Sequence, residues 1–229
     1  MNRAFIRCYY GIEDPNNESR LIKRHTKIKN DIRRIQNSKY QIPFITYCMG
    51  KDNYEYIKAQ GFDCVKICDE EYKYDLTTNQ YRNKLECIKA AFSDFTELTY
   101  LDWDVYMQKE LPSNYWDACR SKELIQGCFQ NYRHIKCNWR KNYQRTVLNG
   151  GFLYLGWRGI IEQAIDIYDS KFNNQPNDEL AYTYLIEQIN KGFDLEIMNK
   201  YESDFCRLHK NAVIQKKDTV FLHIFGRNK

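Results

Sequence analysis

The sequence predicts an α/β sandwich on a mostly parallel central sheet, folded as a single domain. Two observations carry that expectation. Over the first 107 residues, short β-branched and aromatic runs alternate with stretches of helical period, in the order strand, helix, strand, helix, strand, helix, strand. No linker, internal repeat or low-complexity stretch interrupts the 229 residues, enough chain for one sizeable core.

Each element follows from its local pattern. Residues 4–10, AFIRCYY, read as the opening strand, closed by Gly11 and the turn-forming run EDPNNES. RLIKRHTKIKNDIRRIQ sets Leu21, Ile22, Ile28, Ile32 and Ile35 at helical spacing among bases. IPFITYCMG is a second strand, DNYEYIKAQG a short helix stopped at Gly61, and FDCVKICD a third strand. In the next helix Tyr81, Leu85, Ile88 and Phe92 fall at i, i+4, i+7 and i+11, one helical face. ELTYLDWDVYM then reads as the fourth strand.

From Ser113 to Arg145 no clean period emerges, and NYRHIKCNWRKNYQR mixes bases with aromatics. TVLNGGFLYLG reads as a strand broken by two glycines. RGIIEQAIDIYDSKF and NDELAYTYLIEQINKG are amphipathic helices. The second carries Asp178 and Glu179 in its first turn, where the helix dipole favours acids. DTVFLHIFGRNK closes the chain as a strand running into a basic tail.

Lys plus Arg exceed Asp plus Glu, 35 − 30 = +5. That mild basicity suits an anionic ligand such as a nucleotide diphosphate and is too small to demand nucleic acid. The nine cysteines are odd in number and unpaired in spacing, and Cys64 and Cys68 lack the partners of a zinc site. Free thiols in a reducing cytosol are expected. No apolar run reaches the ~18 residues of a membrane helix. The charged start MNRAFIRCYYG does not have the pattern of a signal peptide. The expected location is the cytoplasm, or the host cytoplasm if the source is viral.

Two aspartates close the apolar run YLDWDVYM. In open α/β sheets ligands bind beyond the carboxyl ends of the strands, so Asp102 and Asp104 are aimed at the expected crevice. Two apart on an extended chain, they face one side and can share a cation or a metal-bound diphosphate. Alone, a D-x-D is better read as a solvated turn. The C-terminal HIFGRNK shifts that balance. His223 supplies an imidazole for Mn²⁺, Gly226 lets backbone approach a phosphate, and Lys229 and Arg227 can neutralise it. In LNGGFLYLG, Asn149 can grip a sugar hydroxyl and Gly150–Gly151 leave room for a ligand. Of Asp178 and Glu179, one is expected to cap its helix and the other to face the cleft.

Taken together, the D-x-D after an apolar strand, N-G-G-F, the D-E helix start and H-x-x-G-x-x-K resemble the GT-A-fold glycosyltransferases. The nearest pattern is glycosyltransferase family 8 and small viral and bacterial enzymes like it. The helix RNKLECIKAAF is also similar to that family's. The chain departs from the pattern in stopping at Lys229 and in carrying NDE where the family has D-Q-D. The resemblance implies a nucleotide-sugar donor, UDP-linked, with Mn²⁺ or Mg²⁺, and a glycan, protein or lipid-linked acceptor. It implies that Asp102 meets ribose or metal, that Asp104 and His223 ligate the metal, and that Gly226 and Lys229 hold the diphosphate. Asn149, Gly150 and Asp178 or Glu179 then contact the donor sugar or lie near the reacting carbon. Arg82 and Lys84 are weaker candidates for the nucleotide or phosphate, and Tyr9–Tyr10 for stacking on the base. Residues 1–107 would form the nucleotide-binding half and 108–229 the donor-sugar and acceptor half.

Two other readings remain at this level. A nucleotidyltransferase acting on a sugar phosphate would carry a Gly-rich basic loop after the first strand, where this chain has YYGIEDPNNES. A nucleic-acid-binding module would use NYRHIKCNWRKNYQR to track phosphates and stack bases. An acceptor-side loop is the better reading of that segment.

Overall fold

The computed structural model describes residues 2–10, 18–37, 41–69, 80–132, 135, 137–173, 177–209, 213–214 and 218–224. Gly226, Arg227 and Lys229 lie outside these residues, as does most of the EDPNNES turn.

The first strand, β1 (Arg3–Tyr9), is followed by α1 (Glu18–Gln36), β2 (Phe44–Met49), α2 (Lys51–Ala59), β3 (Val65–Asp69), α3 (Gln80–Ala91) and β4 (Glu97–Leu101). These strands form the parallel block β3-β2-β1-β4. β1, β2 and β4 are apolar almost without break because both sheet faces are covered. The expected alternation therefore holds, and Gly61 ends α2 with φ of 77°.

The expected fourth strand divides in two. β4 ends at Leu101, the chain turns through Asp102–Asp104, and β5 (Val105–Met107) enters a second sheet. The segment without a clean period contains α4 (Tyr115–Lys122) and β6 (Ile125–Asn131). β7 (Thr146–Leu155) then runs antiparallel to both β4 and β6, completing the order β3-β2-β1-β4-β7-β6. Its two glycines do not break it: all ten residues are buried and stay in the strand. α5 (Arg158–Ile167) leads into a single π-helical turn, Tyr168–Phe172, and then α6 (Glu179–Asn190) and α7 (Leu195–Tyr201). β8 (Cys206–Leu208) and β9 (Phe221–His223) complete the small sheet β5-β9-β8.

The sheet is a sandwich filling. On one face Leu85, Ile88, Ile161, Leu180 and Tyr182 from α3, α5 and α6 pack against Ile6, Leu98 and Leu153. On the other, Phe5 meets Phe44, Tyr115, Trp116 and Phe221 at ring separations of 6.2, 5.5, 5.4 and 5.8 Å. Aromatic area of this kind dominates core energetics. All nine cysteines are free thiols. No helix among the described residues is long and apolar enough to cross a membrane.

Candidate active site

Parallel strands end together, and the turn after β4 is where this chain concentrates charge. Asp102 N–H donates to Gly151 O at 2.7 Å, the last rung of the β4–β7 ladder, and Val105 N–H to Asp102 O at 3.1 Å closes a turn beyond it. The aspartates are thus held by a turn and not by an extended strand, contrary to the sequence expectation. Tyr100 O–H donates to Asp102 Oδ1 at 2.7 Å. Trp103 Nε1–H donates to Cys8 O at 2.7 Å. Beneath the turn, the buried Arg7 donates to Val105 O at 3.0 Å and lies over the Phe44 and Trp103 rings. Burial pulls its guanidinium down to about 10.

β9 brings His223 to the same turn from the far end of the chain. Val105 pairs with His223 across the antiparallel ladder, and Ile224 N–H donates to Asp104 O at 3.0 Å. His223 Nε2 then lies 2.9 Å from Asp104 Oδ1. Gly151 is what permits this, because a Cβ there would fall 2.2 Å from His223 Cε1. Burial opposes the imidazolium, but the Asp104 carboxylate outweighs it and the His223 pKa rises. Burial likewise pushes the Asp102 carboxyl up, against the pull of Lys84.

A second charged group, from α3 and the start of α6, lies against the neighbouring strand β7. Lys84, on α3, reaches Asp178 Oδ2 and donates to Gly150 O, both at 2.9 Å. A Cβ on Gly150 would come within 2.9 Å of Lys84 Nζ and 3.0 Å of Asp178 Oδ2. Burial lowers the Lys84 pKa, but Asp178 and Asp102 outweigh it, raise the pKa and hold the amine cationic. Glu179 points elsewhere. Its Oε1 accepts from Asn149 Nδ2 at 2.8 Å, Gly150 N at 2.9 Å and Tyr132 O–H at 3.2 Å. Its Oε2 accepts from Asn177 Nδ2 at 3.1 Å. Burial, then Asp178, pushes the Glu179 carboxyl up to about 7. Asn149 completes the brace by accepting from Gly151 N at 2.9 Å.

The expected capping role falls to neither acid. Asp178 makes no side-chain cap bond, since Lys84 holds its carboxylate, and Asn177 Oδ1 accepts from Glu179 N–H at 2.7 Å instead. The structure therefore gathers Asp102, Asp104, His223, Lys84, Asn149, Gly150, Asp178 and Glu179 beyond the carboxyl end of β4. Arg82 is turned to Glu86 and Asp169, at 2.7 and 2.8 Å. Tyr9 stacks on Tyr56 at 5.6 Å and meets the edge of Trp103 at 5.5 Å, while Tyr10 is half-buried, its hydroxyl pKa pushed up by burial. Arg7, Tyr132 and Asn177 sit in no motif. Only Arg7 leaves a trace in the sequence, a cation inside an apolar strand. Among the described residues, no group of three or more His, Cys, Asp or Glu side chains is arranged to hold a metal ion.

The fold is that of a GT-A glycosyltransferase scaffold, as comparison with solved structures bears out. The chain is similar to mouse xyloside xylosyltransferase 1, with 9% identity, 98% of each chain covered and a TM-score of 0.52. It is similar to a glycosyltransferase involved in glycosylation of the major capsid of PBCV-1, with 11% identity, 99% and 95% covered, and a TM-score of 0.55. It also matches an active-site mutant of LgtC, with 12% identity, 99% and 88% covered, and a TM-score of 0.53. LgtC is a galactosyltransferase that has been crystallised with donor and acceptor sugar analogues. No family model and no curated protein matches the sequence. At such identities the likeness establishes the fold: this chain has the GT-A architecture over essentially its whole length.

Proposed function

We propose that the protein transfers a sugar from a nucleotide-sugar donor, UDP-linked, to an acceptor hydroxyl with the help of Mn²⁺ or Mg²⁺. The observation that carries this reading is the meeting of Asp104 and His223 at 2.9 Å, beside Asp102 and beyond the end of the parallel strands. Two carboxylates and one imidazole are a donor set suited to these ions. Gly151 supports the fit, since only a residue without a Cβ leaves the imidazole its seat at the turn. Asp102, Asp104 and His223 would hold the ion once it replaces the direct Asp104–His223 contact. When bound there, a divalent ion supplies Lewis-acid stabilisation to the departing diphosphate. Gly226 and Lys229 remain candidates to hold that diphosphate.

The chain's own groups do the rest. Lys84 stays charged and adds a fixed positive field at Gly150. Its 2.9 Å contact with Asp178 seats that carboxylate against the Gly150 backbone, where the missing Cβ makes room for the pair. Asp178 is therefore the better candidate of the two acids for contact with the sugar. Glu179, saturated by hydrogen bonds, orients Asn149 and the Gly150 backbone. Residues 1–107 then serve the nucleotide and 108–229 the sugar and acceptor.

The test is a screen of nucleotide-sugars for donor hydrolysis and thermal shift with Mn²⁺. A UDP-sugar with Mn²⁺ should raise the melting temperature by several degrees and be hydrolysed slowly. Asp104→Ala and His223→Ala should abolish both responses. Full hydrolysis in excess EDTA would overturn the role of the ion.

A further inference from the structure

Beyond the end of β4 the β6–β7 ribbon continues alone. Leu101 pairs with Phe152, whereas Asn131 and Thr146 close the ribbon's far tip. At about 3.3 Å per residue, Thr146 stands roughly 10 Å along β7 from Asn149. A cavity of about 660 Å³ opens at that tip, lined by Asn131, Lys141, Asn142, Tyr143, Gln144 and Arg145 among others.

The loop that forms it is braced from below. Buried Arg140 pairs with Glu187 at 3.2 Å, donates to Tyr143 O at 3.2 Å and packs 4.0 Å from the Phe193 ring centre. Trp139 Nε1–H donates to the same Glu187 carboxylate at 2.7 Å. Backbone bonds Cys137 N–H to Gln144 O and Tyr132 N–H to Arg145 O, 2.6 and 2.8 Å, tie both strands of the loop. Tyr143 is held at φ of 53°, with its side chain 39% exposed. A bulky residue in the left-handed region costs about 1 kcal/mol or more, and such strain tends to cluster where ligands are handled.

The charge is lopsided. Arg140 is balanced by Glu187, but exposed Lys141 and Arg145 have no carboxylate partner among the described residues. Three amide side chains and a phenol offer hydrogen bonds to sugar hydroxyls, and two cations await an anion. We propose that this tip is an acceptor subsite for a saccharide carrying an anionic group, phosphate or carboxylate, about 10 Å from the hydroxyl that is glycosylated. This deepens the sugar-transfer reading and rests on it.

Direct binding tests it without turnover. The intact chain is titrated calorimetrically with a neutral disaccharide, the same disaccharide bearing one phosphate, and its uronate analogue. At least one charged sugar should bind about tenfold tighter than the neutral one, the expectation for two exposed ion contacts. Which of the two does so identifies the source of the anion. Lys141→Ala with Arg145→Ala should erase the difference and leave the neutral disaccharide unchanged. Added salt should erase it too. Equal affinity for all three sugars overturns the subsite. So does a preference that survives in the double variant, or a double variant whose one defect is in binding single-stranded RNA. Donor hydrolysis by the same preparation judges the sugar-transfer reading separately.

Discussion

Lys84 Nζ lies 2.9 Å from Asp178 Oδ2, with the two side chains 2% and 1% exposed. A pair so deeply buried is costly to break from one side, because the partner is left as a lone charge in low dielectric. Lys84→Met should therefore destabilise the protein by about 3–5 kcal/mol. Lys84→Met with Asp178→Leu should recover much of that loss, while donor hydrolysis stays absent. Urea midpoints of the three variants measure it. Additive losses in the double variant would mean the two charges do not act as a pair.

Glu179 gives the stability a pH dependence of predictable sign. Burial and Asp178 raise its carboxyl from 4.5 to about 7. A folded pKa above the unfolded value favours the protonated form. The stability it contributes is complete below pH 4.5 and is lost as pH rises through 7. The loss is on the order of 3 kcal/mol for a group this buried. Glu179→Gln, neutral throughout, should show a flatter profile across this window than the parent. Parallel profiles from chemical denaturation at each pH would remove Glu179 as the titrating group.

Gly151 sets the position of His223. Alanine would bring a Cβ within 2.2 Å of His223 Cε1, and the ring would have to move from Asp104. The Gly151→Ala variant should lose about 1–3 kcal/mol through overpacking. It should also lose most of the Mn²⁺-dependent thermal shift, although every proposed ligand is still present. A full shift in that variant would mean that His223 is not held by this contact.

The parts of the molecule legible in the sequence are those whose causes are local. The apolar runs of β1, β2 and β4 announce strands buried on both faces, and the spacing of Leu85 and Ile88 announces α3. α4 was hidden because its buried residues are Tyr115, Trp116 and Cys119, too few for a visible period. The split between β4 and β5 was hidden because Leu101 and Val105 continue one apolar run; its cause is the turn that Val105 N–H closes on Asp102 O and the pairing of Val105 with the distant His223. The glycines of β7 looked like a break for a similar reason. What they accommodate, Lys84, Asp178 and His223, comes from three other elements. The residue types of the site were thus visible, while the hydrogen bonds that separate Asp178 from Glu179 in role were not.

Arg7 offers the last test, since it supports the aspartate turn without belonging to the acidic cluster. It is the buried cation of β1, 1% exposed, and it donates to Val105 O just past Asp104. Arg7→Leu would leave that carbonyl without its donor and remove a positive charge that favours the buried Asp31 carboxylate. A loss of about 1–3 kcal/mol is expected from the unmet acceptor. The turn should also loosen, so the response to Mn²⁺ and a UDP-sugar should fall by more than the stability loss accounts for. Asp194→Ala is the control. It removes the N-cap of α7, a 2.9 Å bond from Ile197 N–H to Asp194 Oδ1, and should cost about 1 kcal/mol. Its ligand-dependent shift should be that of the parent. Equal loss of ligand response in both variants would show a general effect of stability, and the turn would then owe nothing specific to Arg7.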